Sequence, residues 1–137
     1  MGLILDTDIL ISSERRREDA VAMLRRVRDV HGDVESGISA VSAIELTHGI
    51  ARAKDDETRL RREAYADEVF RLLTVYPLSL EIAKLAGRIE GDEAARGNVL
   101  PFEDLMIGAT ALFLGFSVCT LNVKHFQKIP GLSVMTL

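Results

Sequence analysis

Four acidic side chains in mostly apolar surroundings carry the chemistry this sequence offers. Asp6 and Asp8 follow the apolar run Leu3-Ile4-Leu5, Glu45 follows Ser42-Ala43-Ile44, and Asp104 precedes Leu105-Met106-Ile107. Carboxylates gathered in one crevice repel each other, and without a cation one or more takes up a proton. A hard divalent ion removes that conflict, and oxygen donors suit Mg²⁺ or Mn²⁺. Such an ion activates water and neutralises charge building on a phosphate, the two things phosphodiester hydrolysis requires.

Each acid also has a purely structural reading. Asp6 can close the turn after its strand, and Asp8 can cap a helix. Ser42 and Glu45 have capping-box spacing. Glu103 and Asp104 can stabilise a helix N-terminus through its dipole. Glu45 and His48 form a Glu-x-x-His pair, but a di-iron site needs a second copy and two further glutamates, and no second copy exists. His31 falls in a turn and His125 reads as surface. No Ser-His-Asp arrangement, Walker loop or Cys-x-x-Cys pair is present. The arginine groups Arg15 to Arg17, Arg25/Arg26/Arg28 and Arg59/Arg61/Arg62 read as solvated helix faces, any of which could also track an RNA backbone.

The acids need elements to position them. Residues 3–6 read as strand one. Glu18 to Val30 has helical spacing, with Ala20, Val21, Leu24, Val27 and Val30 in one stripe. Gly37 to Val41 is a β-prone run, and a helix capped at Ser42 runs on towards Lys54. A charged helix covers Glu57 to Leu73. Thr74 to Leu78 is strand three, and Pro77 points to a sheet edge or a strand end. Ser79 caps a helix to about Arg96. Phe102 to Leu114 is apolar nearly all round, the pattern of a buried helix. Ser117 to Leu121 is strand four, Asn122 to Gln127 a loop or short helix, and Leu132 to Leu137 strand five.

Short strands alternating with helices predict an α/β domain with a mainly parallel sheet. Ligands then bind beyond the carboxyl ends of the strands. If strands one and four are central neighbours, Asp6, Asp8 and Asn122 stand over one crevice, and Glu45 opens on the same edge. Asp104 begins a helix that leads into strand four from the other end. That helix must reach across the sheet to deliver it.

Composition sets the bounds. The 137 residues suit one domain, 1–137, with a single core. At 47% hydrophobic and 28% charged the chain reads as soluble and globular. Aromatics are 5% with no Trp, which argues against base stacking as the main binding mode. Acids outnumber bases 21 to 17, so bulk charge does not drive nucleic-acid binding. One cysteine, Cys119, excludes an internal disulfide and fits a reducing cytosol. No signal peptide or membrane span is legible, which predicts a cytoplasmic protein.

Several stretches carry a resemblance. They are Leu5-Asp6-Thr7-Asp8-Ile9-Leu10, Ser42-Ala43-Ile44-Glu45-Leu46 with Gly49-Ile50, Pro101 to Ala111, and Thr120-Leu121-Asn122 with His125-Phe126 and Pro130-Gly131-Leu132. Together, and in this order, they resemble the PIN-domain ribonucleases, specifically VapC-type toxins. The resemblance implies a five-stranded parallel sheet flanked by helices and Mg²⁺- or Mn²⁺-dependent endonuclease activity on RNA, often tRNA or ribosomal RNA. It also implies a cognate antitoxin that blocks the site, and commonly a dimer. Asp6, Glu45 and Asp104 match the three core acids, with Asp6 and Asp104 as direct metal ligands. Glu45 would orient or deprotonate water. Asn122 matches a fourth position that is acidic in many relatives. It carries no charge, which favours one metal over two, and it would hold the ion's water shell or the scissile phosphate. Thr120 matches a hydroxyl position near the site.

Two other readings compete. One is a catalytically silent PIN-like binding module, supported only by Asn122. The other is an aspartyl-nucleophile phosphatase of the Asp-x-Asp type, which lacks a suitable later Lys and acidic pair.

Overall fold

The computed structural model describes residues 1–137. Strand β1 (Gly2–Leu5) leads into helix α1 (Thr7–Arg15), and α2 (Ala20–His31) follows. Next come β2 (Glu35–Ser39), α3 (Ala40–Ala51), α4 (Asp56–Leu72) and β3 (Thr74–Tyr76). The chain continues through α5 (Leu80–Ala95), α6 (Phe102–Leu114), β4 (Ser117–Cys119), α7 (Val123–Phe126) and β5 (Val134–Met135).

The strands form one five-stranded sheet in the order β3-β2-β1-β4-β5, and every pairing is parallel. β1 is central. It pairs Ile4 with Gly37 on one side and with Val118 on the other. β3, where the following proline predicts a sheet edge or a strand end, is an edge strand.

Alternation along β1 divides the core. Leu3 and Leu5 face Ile9, Met23, Val27, Tyr65 and Val69. Ile4 faces the other layer, with Ile82, Ile107, Val118 and Phe126. Successive strand side chains point to opposite faces, so a sheet covered on both sides needs an unbroken apolar run. Each of these three side chains is buried to 3% exposure or less, which contributes about 1.5–3 kcal/mol apiece. Gly37 is required at its position, because a Cβ there would lie 2.8 Å from the Thr74 carbonyl oxygen and closer still to the Tyr76 ring.

One element has no counterpart in the sequence reading, and two expectations change. Residues 7–15 form a helix, although Ser12 and Ser13 interrupt its apolar stripe. It ends in a Schellman-type closure, with Glu18 N–H bonded to Ser13 O and Arg17 N–H to Glu14 O. This puts Arg17 in the left-handed region at φ 61. Helix α3 starts before Ser42: Ser39 is its N-cap and accepts from the Val41 N–H. The predicted capping box therefore does not exist, and Ser42 and Glu45 are interior helix residues. Helix α6 is buried from Leu105 to Ala111, but Phe102 and Phe113 at its ends are exposed.

Candidate metal centre

The carboxyl edge of the sheet collects all of the acids. Asp6 directly follows β1, and its N–H bonds to Cys119 O, 2.9 Å away on the neighbouring strand. Its backbone forms the N-cap of α1, while its side chain makes no capping bond. That leaves the carboxylate free to turn inward, where it is 7% exposed and accepts from Thr120 Oγ1 at 2.8 Å.

Asp8 is not the helix cap. It lies in the first turn of α1, and its Oδ2 accepts from Thr120 Oγ1 and from the Leu121 N–H, each at 3.2 Å. It thereby ties α1 to the end of β4.

Glu45 reaches the same edge from α3. Thr7 Oγ1 donates to its Oε1 at 2.8 Å and also contacts Ser42 Oγ at 2.8 Å. Asp104 arrives on the first turn of α6. The thirteen residues of that helix rise about 20 Å, enough to span the sheet, so the helix does reach across. Asp104 Oδ2 lies 3.2 Å from His125 Nδ1, and the Asn122 side-chain nitrogen lies 3.0 Å from His125 Nε2. Asn122 is thus at the site, with His125 beside it. Thr7 and His125 complete the arrangement. The only sequence signal for Thr7 was a hydroxyl set between two acids.

The electrostatics show the strain of this gathering. Burial, then the neighbouring Asp8 charge, pushes the Asp6 carboxyl from 3.8 up to about 7, against the lowering effect of Thr120. Glu45 is raised by burial and then by Glu103, Asp104 and Asp8, while Thr7 opposes the shift. Asp104 is raised by burial and by Glu103 and Asp8, and His125 holds it down. Burial pushes the Cys119 thiol up to about 11, so it is no nucleophile at neutral pH.

No three of these side chains close into a ready-made ligand set. Asp6 rests on Thr120, Glu45 on Thr7 and Asp104 on His125. The donors still fit a hard divalent cation, because all are carboxylate oxygens whose mutual repulsion such a charge relieves.

The sequence matches the PIN domain family over residues 3–132.

The chain belongs to the PIN-domain family.

Within that family its kinship is with VapC. It is 33% identical to Ribonuclease VapC1 of Rickettsia felis, over 100% of this chain and 97% of the relative. Two solved structures share the PIN fold. A VapBC2 complex from Rickettsia felis, bound to a DNA fragment from its promoter, superposes with a TM-score of 0.85 at 20% identity, covering 100% of this chain and 99% of that one. VapBC-1 from nontypeable Haemophilus influenzae has a TM-score of 0.77 at 25% identity, covering 99% and 98%. The five-stranded parallel sheet predicted from the resemblance is the one observed.

Proposed function

We propose that this PIN domain is a Mg²⁺- or Mn²⁺-dependent endoribonuclease and the toxin of a toxin–antitoxin pair. One observation carries the reading. Asp6, Glu45 and Asp104 come from three separate elements to one sheet edge, where burial and mutual repulsion raise all three carboxyls. Carboxyls raised by burial and by one another in this way cluster at functional sites. The Ribonuclease VapC relative supports RNA as the substrate, and a similar solved structure that is a toxin–antitoxin complex from Klebsiella pneumoniae supports an antitoxin as the partner.

Asp6 and Asp104 would hold the ion. When bound, the ion supplies Lewis acidity and positive charge at the scissile phosphate. Thr120 keeps the Asp6 carboxylate aimed along the edge through its 2.8 Å bond. Glu45, steadied by Thr7, orients the attacking water and accepts its proton. That task suits a carboxyl raised above its usual range. Asn122 stands exposed at the mouth and donates to a phosphate oxygen without adding a repelling charge. Its neutrality favours a single ion. The proposed setting is the cytoplasm, with the protein as a homodimer. No helix is long and apolar enough to cross a membrane.

The test is metal add-back. Purified protein stripped with EDTA should leave RNA intact, and Mn²⁺ or Mg²⁺ should restore internal cleavage. Equal cleavage in excess EDTA would exclude the mechanism.

A further inference from the structure

An open groove of about 600 Å³ leaves the acidic edge between α1 and the end of β4. From α1 and its C-cap it is lined by Asp8, Ile11, Ser12, Arg15 and Arg16, and from the far side by Leu121 and Asn122. Positions 8, 11, 12 and 15 lie on one helix face. This face starts at the acids and ends at two guanidinium groups about 10 Å further along the helix.

The charges along it are unequal. Asp8, at the site end, is already engaged by Thr120 and the Leu121 N–H. Arg61 and Arg62 are committed to Glu14. Arg16 makes only an exposed 3.3 Å pair with Glu18, a contact worth little in water. Arg15 is exposed and has no partner among the chain's ion pairs. It also lines a second hollow, which contains Glu45. Free cation is therefore placed at the outer end of the groove, next to a site whose own charge repels a polyanion.

The geometry points to this groove as the track for single-stranded RNA flanking the scissile bond, an inference that rests on the ribonuclease reading above. Arg15 and Arg16 take the phosphates. Leu121, 46% exposed, gives a base an apolar contact. The occupant is a strand rather than a helix-shaped partner, because the groove opens directly onto the acids and carries cations only at its outer end. A strand cut at the acids must leave through such an opening.

The experiment is binding of a short fluorescein-labelled single-stranded RNA to the full-length protein in EDTA, read by anisotropy over a salt series. Arg15→Ala and Arg16→Ala should each weaken binding, and together by about tenfold. The slope of log affinity against log salt should fall by roughly 0.7 for each phosphate that is no longer neutralised. Arg15→Lys should recover most of the affinity, and Arg88→Ala, at an exposed position on α5, should change nothing. In cleavage assays KM should rise in the double variant while kcat stays near wild type. An unchanged RNA affinity and slope in the double variant would overturn the assignment. So would an equal loss of binding to polyglutamate, which would mark a surface for acidic protein segments. Absence of cleavage by the wild type would count against the ribonuclease reading, whereas the binding series reports on the groove separately.

Discussion

Thr120 Oγ1 lies 2.8 Å from Asp6 Oδ2 and 3.2 Å from Asp8 Oδ2. One hydroxyl proton thus faces two carboxylates, while the oxygen accepts the Asn122 N–H at 2.9 Å. The end of β4 is thereby stitched to the start of α1, and a polar contact sits where two like charges converge.

Thr120→Val should weaken the enzyme at neutral pH. The hydroxyl lowers the Asp6 carboxyl, which already lies at about 7. Without it Asp6 holds its proton to higher pH. A hydrogen bond to a charged group is worth about 1.5–3 kcal/mol, so cleavage near neutrality should fall about tenfold or more. The pH–rate profile should move to the alkaline side, and Thr120→Ser should largely restore it. A profile that keeps its position in Thr120→Val would contradict the role given to the hydroxyl.

Stability should depend on pH through Asp6. Its carboxyl titrates at 3.8 in the ordinary state and at about 7 when folded. Between these values the folded protein retains a proton that the unfolded chain has released. Stability therefore falls as pH rises through that window and levels off above about 7. The loss is on the order of a few kcal/mol. Glu45 and Asp104, also raised, act in the same direction. Asp6→Asn should flatten much of the slope and raise the melting temperature above neutral pH. Thermal melts in EDTA across pH check this, and parallel slopes for variant and wild type would count against it.

His125 should govern how readily Asp104 ionises. It is the one neighbour that lowers the Asp104 carboxyl, through both its charge and its hydrogen bond. His125→Ala should therefore weaken Mn²⁺ binding more at a mildly acidic pH than at a mildly alkaline one, because ligands must be deprotonated to bind. Calorimetric titration at the two pH values reads this directly. A loss that is the same at both would assign His125 a different task.

Much of this was legible in the chain. The apolar run Leu3-Ile4-Leu5 with Asp6 at its end marked a buried central strand and its acidic edge, because parallel strands buried on both faces leave a clear signal. The proline after Tyr76 marked the edge strand. Errors came where local rules compete. Ser42 and Glu45 satisfy the capping-box pattern, yet Ser39 caps the helix three residues earlier, because β2 ends sooner than its β-prone run suggests. Spacing cannot choose between two serines that both precede a helical stretch.

Other features had no local signal at all. The engagement of Asp8 with Leu121 spans 113 residues, and that of Thr7 with Glu45 spans 38. Both depend on strand order, not on neighbours in sequence. Strand β5 is two residues long, where Leu132 to Leu137 reads as a longer strand. Its apolar character comes from packing over the sheet end as well as from pairing.

In the proposed mechanism Asp6 holds the ion on which RNA cleavage depends. The most direct measurement is the rate of RNA cleavage in Mn²⁺ by wild type and Asp6→Asn, with circular dichroism confirming that both are folded. The variant should lose at least about a hundredfold in rate while keeping its fold. A folded Asp6→Asn protein that cleaves RNA at the wild-type rate would contradict the mechanism.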